Sequence, residues 1–185
     1  MFALAVAATM TGVAVPLMSD ALDELRTMSA ARYVALRIAS ARVDAVSHSR
    51  AAALRFETCI DDEGRTDYAF MRITDGNGNG VRAVDIRDGI DVAAGPAERL
   101  SEKFPGVRFE LMADVPDADG TTGTGQDGVR IGGARILTMS LDGTATSGTL
   151  YIRGRRSQYA VRVLGVTGRT RLLQYRPHDR IWINR

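Results

Sequence analysis

Cysteine is nearly absent. Cys59 is the only one, so the chain can form no disulfide within itself and no thiolate metal cluster. Histidine is almost as scarce, with His48 and His178 alone. No paired-histidine motif, nucleophile elbow or P-loop occurs, and these gaps speak against an enzyme. Aromatic residues make up only 6% of the chain while glycines number 19, a balance that favours short strands and turns over a helical bundle. Lysine is represented by Lys103 alone, so the positive charge is carried by arginine. Charge is missing altogether from residues 1–18, and glycine and proline are missing from residue 19 to about residue 55.

With 185 residues and 45% hydrophobic content, the chain has room for one compact domain and one long helix. The net charge of +2 is unevenly distributed. Residues 151–185 hold nine arginines against the single acid Asp179, so the remainder is acidic. Such asymmetry fits a basic binding face or complementary packing between subunits.

The uncharged run 1–18 ends at Ser19-Asp20, and Asp23, Glu24 and Arg26 follow at once. Three readings compete for it. A secretory signal peptide would carry a basic start and a small-residue cleavage site, and no Lys or Arg precedes Arg26. A buried core helix is the second. The third, which the continuing helical pattern favours, is a membrane anchor running unbroken into a soluble helix; its length is marginal against the ~20 residues needed to span a bilayer. Alanine, leucine and arginine dominate up to about residue 55, all good helix formers. A helix from near residue 2 to near residue 55 would measure about 80 Å. Pro16 is expected to bend or loosen it.

The later half of this helix has two apolar stripes. Val34, Ile38, Ala41 and Ala45 share one face, and Leu36, Ala39, Val43 and Val46 share a nearly opposite one. A surface helix of a monomer needs only one. Two stripes predict one face for the protein's own sheet and one for a partner, the alternative being a helix buried centrally in a larger core.

Beyond residue 55 the pattern becomes short β-like runs. Strands are expected at 54–60, 67–74, 107–112, 135–140, 149–153, 158–166 and 169–176, with a short helix around 97–103. Turns are expected at 61–64, 75–80, 142–143 and 167–168, and a polar glycine-rich loop at 114–128. Short connections predict an antiparallel sheet packed on the helix, hence an α+β fold.

Three motifs invite chemistry. Asp75, Asn77, Asn79 and Gly80 fit the opening of a calcium loop, D-x-N-x-N-G, although Ile86 stands where the twelfth-position acid is required. Asparagine and glycine also suit a plain left-handed turn, the preferred reading; Ca2+ is the one cofactor the sequence raises. Gly123 to Gly128 matches G-x-G-x-x-G but lacks the strand before and helix after that a dinucleotide site needs. The arginine-rich end, Arg153, Arg155, Arg156, Arg162, Arg169 and Arg171, offers a row for DNA phosphates, with a solvated or salt-bridged strand face as the plain alternative.

Taken in order, several stretches resemble the GspH/FimT family of minor pilins and pseudopilins. They are the apolar run closing in Ala14-Val15-Pro16, the helix end Ala41 to Val46, the strand pair followed by Asp75 to Gly80, and the C-terminal stretch Leu141 to Leu150, Tyr159 to Val163 and Gly168-Arg-Thr-Arg171. The resemblance covers most of the chain. It implies a type IV pilin-like fold: 1–18 as the transmembrane part of the helix, 19–55 as its soluble half, and 56–185 as a β-rich domain. It further implies a single-pass inner-membrane protein with a periplasmic domain, assembling with other pilin or pseudopilin subunits of a type II secretion or type IV pilus filament. Gly168-Arg169-Thr170-Arg171 resembles the G-R-x-R element of the family's DNA-binding members, which implies DNA as a second partner. Family members also begin with a basic leader ending in glycine, cut by a prepilin peptidase, and a glutamate follows soon after. Neither is present here, so the leader is expected upstream of Met1 or has been lost or removed.

Overall fold

A computed structural model describes the backbone of residues 2–17 as helix and, in full, residues 18–61, 64–118 and 125–185. The fold is α+β, one long helix followed by antiparallel sheets. In chain order the elements are α1 (Phe2–Ser47), β1 (Ala52–Ile60), β2 (Thr66–Thr74), α2 (Ala83–Arg87), β3 (Val92–Ala93), β4 (Glu98–Arg99), α3 (Leu100–Lys103), β5 (Arg108–Phe109), β6 (Val129–Arg130), β7 (Ile136–Met139), β8 (Gly148–Arg153), β9 (Gln158–Leu164), β10 (Arg169–Arg176) and β11 (Ile181–Asn184).

The helix stops at Ser47, earlier than its composition suggests. Ser49 takes a left-handed φ of 49°. The Arg50 N–H then reaches the Ala45 carbonyl at 3.1 Å and the Ser49 N–H reaches that of Val46 at 3.3 Å. This is a Schellman closure with serine where glycine is usual. Residues 52 and 53, expected as helix, are instead the start of β1, and Leu54 and Arg55, where the expected helix and strand overlapped, belong to the strand.

Two sheets form where the sequence suggested one. The first has the order β3-β2-β1-β7, with β4 also pairing β2; the second has the order β11-β10-β9-β8-β5, with β6 also pairing β8. The hairpin β1–β2 pairs from Ala52↔Thr74 to Ile60↔Thr66. Expected strands 67–74 and 169–176 match β2 and β10 closely, whereas β11 and α2 had no counterpart in the sequence reading. The expected strand 107–112 shrinks to Arg108–Phe109 because only those residues pair with β8. Asp62 and Glu63 of the acidic turn, Gly123 of the glycine motif, the bend at Pro16 and the anchor reading of residues 1–17 lie outside the fully described residues. Among the described residues no helix is long and apolar enough to cross a membrane.

One face of α1 closes the central core against both sheets. Val34, Ile38, Ala41 and Ala45 pack with Leu54 and Phe56 of β1, and with Leu150, Ile152, Val161 and Val163 of β8 and β9. Phe109 joins the two sheets, its ring edge-on to Phe56 at 5.6 Å and to Phe70 at 5.9 Å. Each sheet's outer face is partly roofed. Ile73 and Ala53 sit under Val81, and Tyr151, Ala160 and Tyr175 sit under Leu111 and Val115.

Candidate functional site: an uncovered helix face and divided arginines

Helical periodicity divides α1 into two opposite apolar stripes, and burial separates them completely. Val34, Ile38, Ala41 and Ala45 are at most 1% exposed. On the other side Leu36 is 67% exposed, Val43 63% and Val46 47%, and Ala39 is exposed too. The same uncovered line continues back through Leu25, Leu22 and Met18, residues that fall within one sector at about 100° per residue. These six apolar side chains and Ala39 line one side of the described helix, with the exposed Ser29 and Arg32 between Leu25 and Leu36.

Polar latches fix the buried side. The Asp23 carboxylate accepts the backbone N–H groups of Arg155 at 2.8 Å, Arg156 at 3.0 Å and Ser157 at 3.2 Å, and the Ser157 hydroxyl at 3.0 Å. Burial alone would raise its pKa, but these donors outweigh burial and hold it below the ordinary aspartate value. Gly154 makes the approach possible, since a Cβ there would lie 2.1 Å from Thr27 Oγ1. Arg156 pairs with Asp20 at 2.7 Å. Gln174 Nε2 donates to Glu24 at 2.8 Å, and burial with nearby Glu24 pushes Tyr159 up to about 12. Farther along, Tyr33 and Arg37 both donate to Glu98, Arg72 pairs with Asp44, and Arg42 Nε donates to the Gly143 carbonyl at 2.9 Å.

The six arginines grouped by sequence do not form one row. Arg162 stands directly opposite Arg171 on β10 and opposite Thr149 on β8, and Thr149 stands opposite Arg130. Their strand neighbours Leu150, Val161 and Leu172 face the helix core, so alternation puts Arg162 and Arg171 on the outer face, with Arg169 two residues along on the same side. Arg169 and Arg171 are exposed and have no ion-pair partner among the described residues. A cavity of about 600 Å³ beside them is lined by Arg130, Thr149, Tyr151 and Arg162. Arg153, Arg155 and Arg156 lie at the other end of these strands, about 20 Å away for a strand of this length. Arg153 is bound to Glu110 at 2.5 Å, and Arg155 and Arg156 sit in the turn that Asp23 holds. Gly168 serves packing: a Cβ there would be 2.3 Å from the Gly143 carbonyl oxygen.

The calcium-like loop is tied to its own backbone. Asp75 is 1% exposed and accepts N–H groups from Asn77 at 3.1 Å, Gly78 at 2.7 Å and Gly80 at 2.8 Å. Asn77 Oδ1 accepts the Asn79 N–H at 3.2 Å. Asp91 closes the loop by accepting from Gly76 and Arg82, both at 2.9 Å. Among the described residues no group of three or more acid, cysteine or histidine side chains is assembled as a metal site.

Sequence reasoning overlooked Asp20, Asp23 and Glu24 as docking residues. The signal was present: a cluster of acids directly after the uncharged run, in a chain whose last 35 residues are strongly basic. Comparison with family models, with curated proteins and with solved structures yields no match.

Proposed function

We propose that the chain is a non-enzymatic subunit of a type IV pilin-like filament, of the minor pseudopilin kind that serves a type II secretion system or a type IV pilus. The observation that carries this reading is the apolar strip on α1 opposite the stripe that its own sheets cover. A helix held to its domain by Asp23, Arg37, Arg42 and Asp44 cannot turn that strip inward. Leaving such a surface in water is unfavourable by roughly 25 cal/mol per Å², and burial against the helices of neighbouring subunits relieves it. The element order, one helix then antiparallel strands, and the sequence resemblance support the same reading. In it, the uncharged residues 1–18 hold the subunit in the inner membrane before assembly. The test is fractionation of source cells. The chain is expected in the membrane fraction and, after assembly, in sheared filaments with other pilin-like subunits. Absence from both overturns the proposal.

A second reading is favoured by one local arrangement. Arg169 and Arg171 stand exposed on one face with Arg162 alongside, which suits contact with DNA phosphates. Under this reading the subunit takes DNA to the filament for uptake. Duplex binding should weaken as salt rises, and Arg169→Gln with Arg171→Gln should reduce the salt slope by about 2. Undetectable binding at low salt rules it out.

A further inference from the structure

The end of the domain nearest Met18 gathers chain segments far apart in sequence. Because β1 runs back along α1 from Ser47, the β1–β2 turn comes to this end. Asp20 and Asp23 bring the β8–β9 turn there too. Between them lies a cleft of about 550 Å³ lined by Arg26 of α1, Arg65 of the β1–β2 turn, Arg108 of β5, Arg153 of β8 and Arg155 of the β8–β9 turn, with Gly106 and Gly154 adding no side chain.

The cleft is strongly positive. Five guanidiniums line it; Glu110 is shared by Arg108 and Arg153, Asp61 pairs with Arg65, and the Asp23 carboxylate at its edge is taken up by the backbone N–H groups of the β8–β9 turn. Arg26 and Arg155 are exposed without an ion-pair partner among the described residues. Arg153 Nε is buried with no hydrogen-bond partner. Arginine forks match phosphate oxygens in geometry as well as charge. Arg26 lies about 12 Å along the helix from Met18, where the uncharged run ends.

We propose that this basal cleft binds the headgroups of anionic phospholipids and seats the domain on the membrane surface from which α1 emerges. The inference rests on the reading of residues 1–18 as a membrane anchor. Charge complementarity and position select the occupant: the uncharged run 1–18 leads into α1 on the side where these guanidiniums converge. Attraction of a juxtamembrane guanidinium to an anionic leaflet amounts to about fivefold in occupancy. Lipid contact thus holds the unassembled subunit in a fixed pose at the membrane surface.

The experiment uses the full chain in bilayer discs of phosphatidylcholine alone or with phosphatidylglycerol, followed by amide hydrogen exchange in residues 64–66, 105–108 and 153–157. Phosphatidylglycerol is expected to slow exchange there by at least about fivefold. Arg26→Gln with Arg155→Gln should abolish the difference and leave exchange in β9 unchanged. Equal exchange in both lipids, with the chain resisting alkaline extraction, overturns this inference and leaves the anchor reading standing. Extraction of the chain from both discs overturns both. Equal slowing by inorganic phosphate in phosphatidylcholine discs overturns the lipid assignment in favour of a free-anion site.

Discussion

The two faces of α1 carry similar side chains with opposite fates. Ile38 is fully buried, whereas Leu36, two residues earlier, is 67% exposed. Both stripes have the spacing of a core-facing helix. Only their surroundings differ: one is closed by β1, β8 and β9, and the other meets no element among the described residues. Apolar periodicity alone therefore does not tell which stripe of a helix its own domain covers.

Substitutions on the two faces should separate sharply. Ile38→Asp places an unpaired carboxylate in the core and should destabilise by more than about 4 kcal/mol. Leu36→Asp should stay within about 0.5 kcal/mol. Thermal unfolding of the full chain in mild detergent, followed by circular dichroism, checks both, and equal effects would erase the distinction. Next in size is Gly154→Ala, which forces a methyl against Thr27 and Asp23 and should cost about 1–3 kcal/mol by prising the β8–β9 turn from the helix.

Asp23→Ala follows. It leaves three backbone donors without their acceptor, at about 1–3 kcal/mol. Because the folded pKa of Asp23 is depressed, its contribution is present above the unfolded value of about 3.9 and is lost as pH falls through the folded value. The wild type should lose this increment on acidification below about pH 4, and the variant should lack it in parallel pH titrations of melting temperature. Ser49→Gly should bring a gain of up to about 1 kcal/mol from relieving the left-handed φ at the helix end. A loss of stability there would mean that the Ser49 side chain outweighs its backbone strain.

The helix, the β1–β2 hairpin and the β8–β9–β10 meander were legible because each rests on local periodicity and glycine-marked turns. The misplaced junctions share a cause. Ser49, Arg135 and Arg180 all adopt positive φ without being glycine. Ser49 ends α1 early, Arg135 precedes β7, and Arg180 turns the chain into the unforeseen β11, so three junctions lacked their usual mark. Division into two sheets was hidden for another reason: pairing of β1 with β7 joins residues some 80 positions apart, and no local pattern encodes it. The second stripe of α1 was readable as a candidate assembly face. Grouping of the arginines was not, because alternation and strand direction send Arg169 and Arg171 to one end and Arg153, Arg155 and Arg156 to the other.

The central claim is that the uncovered strip of α1 is an assembly face, and it is tested most directly by charging the strip alone. Leu36→Arg with Val43→Arg should leave the melting temperature and membrane association of the full chain unchanged while removing it from sheared filaments of the source cells. Retention of the doubly charged chain in those filaments at the wild-type level, or absence of the wild type from them, would contradict the account.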